Sequence, residues 1–134
     1  MDMQFKQENL RRQFYDLEAI DPRVRAVAVE LDFFFQKKFG RELVVTSVGR
    51  TEVEQRELYP EFFARVGRVR PSPHLDFPCR AVDIRSRDLS AEEVQALREY
   101  FATWWEELPG WVILVNDRGT ASPHIHIQVG KRRE

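Results

Sequence analysis

Residues 124–129 read HIHIQV, and no other stretch of the chain constrains the fold as tightly. Strict polar–apolar alternation is the period of a β-strand with one buried face. His124 and His126 therefore share one face, while Ile125 and Ile127 share the other, the face expected to meet the core. A second short strand, AVDIR at 81–85, sets Asp83 between Val82 and Ile84 in the same manner. An acidic side chain so placed needs a partner if it is buried, and a cation is the simplest one.

The remainder of the chain is rich in helix signals. Phe5, Leu10, Phe14 and Leu17 recur at roughly helical spacing, which predicts a short helix within residues 5–20. Asp21 is placed as an N-cap with Pro22 in the first turn. Val24, Val27, Leu31 and Phe34 follow at three- and four-residue steps, and Gly40 ends the helix. The run Phe33-Phe34-Phe35 reads as core packing. ELVVTSV at 42–48 is β-branched and reads as a strand. Thr51 and Glu54 form a capping-box pattern for a short helix through Tyr59, and Ser90 and Glu93 form another for a helix to about Glu107. Between them, residues 60–80 carry Pro60, Pro71, Pro73 and Pro78 and read as loop. WVILV at 111–115 is a further strand, separated from the last by the turn-rich NDRGTASP. This order predicts an α+β domain, a small antiparallel sheet with helices packed on one face.

The length of 134 residues suits one domain, residues 1–134. An apolar fraction of 43%, with ten Phe and three Trp, suffices for a real core. Trp104, Trp105 and Trp111 are expected in it. A net charge of −1 gives no reason to expect nucleic acid as a partner, and the basic tail Lys131, Arg132 and Arg133 reads as a solvated end. A single cysteine, Cys79, excludes an internal disulfide and a four-Cys zinc site. Neither a signal-peptide core nor a membrane span is visible, so a product made in the cytoplasm, monomeric and without membrane contact, is expected, and any role outside the cytoplasm would need a separate, phage-type export route to the cell wall.

All three histidines lie in two places, His74 in the proline-rich loop and His124 and His126 in the last strand. Two histidines and a carboxylate around zinc leave one tetrahedral position open for water, a donor set suited to amide hydrolysis.

Three segments together resemble one family. SPH at 72–74 followed by RAVDIRS at 80–86 is similar to the SxHxxGxAxD motif of the D-alanyl-D-alanine peptidases, zinc enzymes that include carboxypeptidases, dipeptidases and phage endolysins. SPHIHIQV at 122–129 resembles the closing HxH motif of the wider superfamily, which also holds murein endopeptidases and the hedgehog amino-terminal domain. SVGRTEVEQRELY at 47–59 resembles an upstream segment in which an Arg and a Gln recur. The likeness spans about residues 42–129.

The resemblance implies one zinc ion held by His74, Asp83 and His126. It implies His124 as the catalytic or transition-state-stabilising histidine, and Arg50 as the active-site arginine that binds the substrate carbonyl or the developing oxyanion. Ser72 matches the motif serine, expected to hold the loop or the substrate, and Gln55 matches a supporting position.

Two departures shape these expectations. Asp83 lies nine positions after His74 where the family usually has seven, and Cys79 stands in the usual Gly place. Many members carry a catalytic Glu or Asp three residues before the last ligand, where this chain has Pro123; counting from His124 gives Ala121. His124 is then the expected general base, with Asp117 as a second candidate. The function implied is hydrolysis of amide bonds in peptidoglycan stem peptides, as a carboxypeptidase or an endolysin-like enzyme. A cytoplasmic D-alanyl-D-alanine dipeptidase and a non-catalytic zinc-containing binding module of the same fold are the alternatives.

Overall fold

The computed structural model describes residues 3–108, 110–116 and 123–130. The strands are β1 (Gln4–Phe5), β2 (Val44–Ser47), β3 (Ala81–Arg85), β4 (Val112–Asn116) and β5 (His124–Gln128). The helices are α1 (Glu8–Tyr15), α2 (Pro22–Phe39), α3 (Glu52–Leu58), α4 (Pro60–Val66) and α5 (Ala91–Trp104), with a 3₁₀ turn at Pro73–Leu75. One sheet forms in the order β1-β2-β3-β5-β4.

The fold is α+β, but the sheet is mixed and not antiparallel. β2–β3, β3–β5 and β4–β5 are antiparallel, whereas β1 runs parallel to β2. Two helices intervene between β1 and β2, the kind of long crossover that parallel pairing requires.

α2 begins and ends where its signals place it. The Asp21 carboxylate accepts from the Arg23 N–H at 2.9 Å, Pro22 occupies the first turn, and Gly40 closes the helix in the left-handed region at φ 74°. Val24, Val27, Ala28, Leu31 and Phe35 are buried along one stripe. They join Val45, Val82, Ile84, Ile125 and Ile127 from the sheet and Leu97 and Phe101 from α5 in a single core. Each such side chain contributes roughly 1.5–3 kcal/mol when fully buried. Asp32 ties α2 to the residue that precedes β2: its carboxylate accepts from the Leu43 N–H at 2.7 Å.

Phe33 departs from the expected core and is 64% exposed. Successive helical residues are about 100° apart, so three in a row cannot share one face. Phe35 points inward, and Phe34 stacks on Tyr100 of α5 with ring centroids 4.2 Å apart. Trp104 is likewise exposed, while Trp105 and Trp111 are partly buried against the core. Leu17 lies beyond the end of α1 and is exposed. Residues 60–66, expected as loop, form α4, in which Pro60 serves as the first helical residue and no side chain is buried.

Both capping boxes are present with both of their hydrogen bonds, Thr51 with Glu54 and Ser90 with Glu93. No described helix is long and apolar enough to cross a membrane.

Candidate metal centre

β3 and β5 pair in register, with Asp83 opposite His126 and Arg85 opposite His124. Directly opposed residues share a face, so the Asp83 carboxylate and the two imidazoles rise from the same side of the sheet. On its other neighbour β3 meets an irregularity: the β2–β3 register shifts between Val45 and Ser47. Beyond it, the Val48 carbonyl accepts from both His74 Nδ1 and the Cys79 thiol.

The segment between β2 and β3 brings in His74, the third candidate ligand. His74 sits in the 3₁₀ turn, where Ser72 Oγ accepts from the His74 N–H at 3.2 Å and the His74 carbonyl accepts from the Arg50 N–H at 2.9 Å. The chain between His74 and Asp83 forms a closed loop. Arg80 N–H donates to the Pro73 carbonyl at 3.2 Å, and the Arg80 guanidinium pairs with Asp76 and donates to the Val129 carbonyl at 2.6 Å. His74 therefore reaches Asp83 across the nine-position spacing.

His74, Asp83 and His126 converge as a cluster that can hold a metal ion, their ligand atoms all within 4.8 Å of one another. Asp83 Oδ1 lies 2.8 Å from His126 Nδ1 and 3.2 Å from His74 Nε2. Donor atoms of a tetrahedral zinc site stand roughly 3.3 Å apart. His74 is 2% exposed, and its Nε2 has no hydrogen-bond partner. A buried polar atom left in that state costs about 1–3 kcal/mol, which a cation at the centre of the cluster relieves. Nδ1 of the same ring, held by the Val48 carbonyl, leaves Nε2 as the nitrogen turned to the cluster. The residues present thus fit a divalent ion.

The electrostatics follow from this packing. Burial pushes the Asp83 carboxyl up, but its hydrogen bond with His126 and the closeness of the two imidazole rings outweigh it and hold the group well below the usual carboxylate range. Burial pushes His126 down, and its bond to Asp83 more than reverses this, so its pKa is raised.

The other anticipated residues fall around this cluster. Arg50 donates from Nη2 to Asp83 Oδ2 at 3.2 Å and from Nη1 to Gln55 Oε1 at 3.1 Å. Gln55, 1% exposed, in turn donates to the Arg70 carbonyl at 2.9 Å, so it supports Arg50 from behind. His124 stands at the open edge, its Nε2 4.0 Å from Asp83 Oδ2 and its side chain 27% exposed. Ser72 caps the turn that carries His74. Cys79 is not part of the cluster. Its thiol, raised to about 11 chiefly by burial, points at the Val48 and Ala81 carbonyls. Pro123 offers only its carbonyl, which accepts from the Ser86 N–H at 3.3 Å. Asp117 and Ala121 lie outside the described residues.

One participant escaped the sequence reading. Gln128 Oε1 lies 2.9 Å from His126 Nε2. Its signal was its place two residues beyond His126, on the same face of the strand.

No protein-family model, curated protein or solved structure matches this chain.

Proposed function

We propose that the protein is a zinc-dependent peptidase acting on peptidoglycan stem peptides. The observation that carries this reading is the convergence of two imidazoles and one carboxylate on a buried unpartnered His74 Nε2, with a third imidazole at the open edge. His74, Asp83 and His126 would hold the ion. Bound zinc supplies Lewis acidity there, lowering the pKa of a water and polarising a substrate carbonyl.

The chain's own groups then divide the work. His124, partly exposed beside the cluster, takes the proton of the attacking water and returns it to the leaving amine. Arg50 fixes the Asp83 carboxylate through Oδ2 and keeps a cation beside the charge that develops on the carbonyl oxygen. Gln55 and the Arg70 carbonyl hold that guanidinium in place. The wall-peptide substrate rests on the motif resemblance at 47–59, 72–86 and 122–129.

A second reading is a zinc-containing binding module without turnover. The Arg50–Asp83 ion pair favours it, because an arginine engaged with a ligand is less available to an oxyanion.

Metal content of the purified chain, with digestion of peptidoglycan in the presence and absence of chelator, separates the two. Bound zinc with chelator-sensitive fragments supports the peptidase, and fragment masses name the bond. Release of alanine from D-alanyl-D-alanine alone points to the dipeptidase variant. Zinc without products points to the binding module, and a chain that takes up no zinc refutes both.

A further inference from the structure

Both ring nitrogens of His126 are engaged. Nδ1 lies 2.8 Å from Asp83 Oδ1, and Nε2 lies 2.9 Å from Gln128 Oε1. An amide oxygen can only accept, so the nitrogen facing it carries a proton. Nδ1 donates to Asp83 here; once a cation takes the place of that proton, a ring still protonated at Nε2 gives it the Nδ1 lone pair. We propose that Gln128 is a positioning residue of the metal centre: its Oε1 keeps the proton on His126 Nε2 and thereby selects Nδ1 as the ligating nitrogen. This rests on the metal-centre reading above and adds to it a residue outside the ligand set.

The two histidines then bind through different nitrogens. His74 is held at Nδ1 by the Val48 carbonyl and presents Nε2; His126 is held at Nε2 and presents Nδ1. The two holds differ in kind. A main-chain carbonyl in the sheet region cannot turn over, so the His74 tautomer is determined by the backbone. A side-chain amide can rotate by half a turn and offer its NH₂ instead. That orientation requires Nε2 without a proton, which leaves Nδ1–H aimed at Asp83 and removes one ligand from the cluster. The Gln128 amide is therefore the group on which ligation by His126 depends. Its backbone is fixed for the task, since β5 is paired on both sides, with Gln128 opposite Ala81 and Val112.

The test compares the wild-type chain with Gln128→Glu, an acceptor that cannot present a donor amide, and Gln128→Leu, similar in size and without an acceptor. Zinc affinity is measured by competition with a chromophoric chelator, and ring-nitrogen NMR of the zinc-loaded proteins reads where the His126 proton resides. Gln128→Leu should bind zinc about 10–100-fold more weakly, the usual effect of removing an outer partner of a ligating histidine. Gln128→Glu should retain wild-type affinity, and the wild-type ring should show a protonated Nε2 and a metal-shifted Nδ1. Unchanged affinity in folded Gln128→Leu, or zinc on Nε2 in the wild type, overturns the proposal. If Gln128→Leu does not fold, the wild-type and Gln128→Glu spectra decide alone. Failure of the wild-type chain to take up zinc is a separate result, visible before any variant is made. It refutes the metal centre itself and the role of Gln128 with it.

Discussion

On one face of the β3–β5 ladder, Val82, Ile84, Ile125 and Ile127 are 0–1% exposed and lie in the core with side chains from α2 and α5. On the other, in alternate positions of the same strands, stand Asp83, His124, His126 and Gln128. The backbone hydrogen bonds are common to both faces, so the side chains alone make the difference. The apolar face gains free energy from every atom removed from water, without regard to direction. The polar face loses free energy on burial and recovers it only through partners at the right angle and distance. One face can therefore tolerate a change of shape that conserves volume, and the other cannot tolerate a change of chemistry.

The largest effect expected is at the ligand common to both histidines. Asp83→Ala should abolish stoichiometric zinc binding, measured as metal per chain after dialysis, together with any hydrolysis. Retained zinc would mean that the polar face does not depend on its only carboxylate ligand. Next is His124→Ala, which should keep the zinc and lower turnover by roughly 10²–10⁴-fold, the usual contribution of a general base. Normal turnover in that variant would remove His124 from the chemistry.

The complementary experiment is on the apolar face. Ile127→Ala should cost about 2–5 kcal/mol in urea-induced unfolding of the metal-free chain. The folded fraction should still take up zinc, and a specific loss of zinc would show that the faces are not separable.

The smallest effect concerns pH. In the metal-free chain the depressed Asp83 carboxyl contributes stability that is present above its ordinary value of 3.8 and lost as pH falls through the lower folded value. The raised His126 contributes stability that is present below 6.5 and lost as pH rises through its higher folded value. Zinc needs the Nδ1 proton gone, so its affinity should rise with pH over the range in which this metal-free contribution falls. Parallel pH titrations of unfolding and of zinc affinity check the opposed slopes, and slopes of the same sign would contradict them.

Much of this was readable beforehand, for local reasons. Asp21, Pro22 and Gly40 delimit α2 because caps and breakers act within a few residues. The alternation in 81–85 and 124–129 placed Asp83, His124 and His126 on their face because strand period is a purely local property. β1 was not readable: two residues show no period, and its parallel partner lies some forty residues away. α4 was hidden for a different reason. It buries no side chain, so there is no apolar stripe to find, and Pro60 reads equally as a loop residue or a first-turn residue. In the site, the pairing of Arg50 with Asp83 and the contact of Gln128 with His126 depend on rotamers and not on spacing. A glutamine in a strand reads only as polar.

The site also spans long stretches of chain. The contacts His74 to Val48, Arg50 to Asp83 and His126 to Asp83 close intervals of 26, 33 and 43 residues. None can form within an isolated hairpin or helix, and the longest requires β5, the last strand, to be docked on β3. Non-local pairings of this kind are the slow events in folding. The order in which the chain acquires its properties follows. On this ground the local helices are expected before the β3–β5 ladder, and any affinity of the cluster for an ion only once that ladder has closed. If the cluster takes up an ion, the moment of uptake during refolding would be a clock for the final topological step.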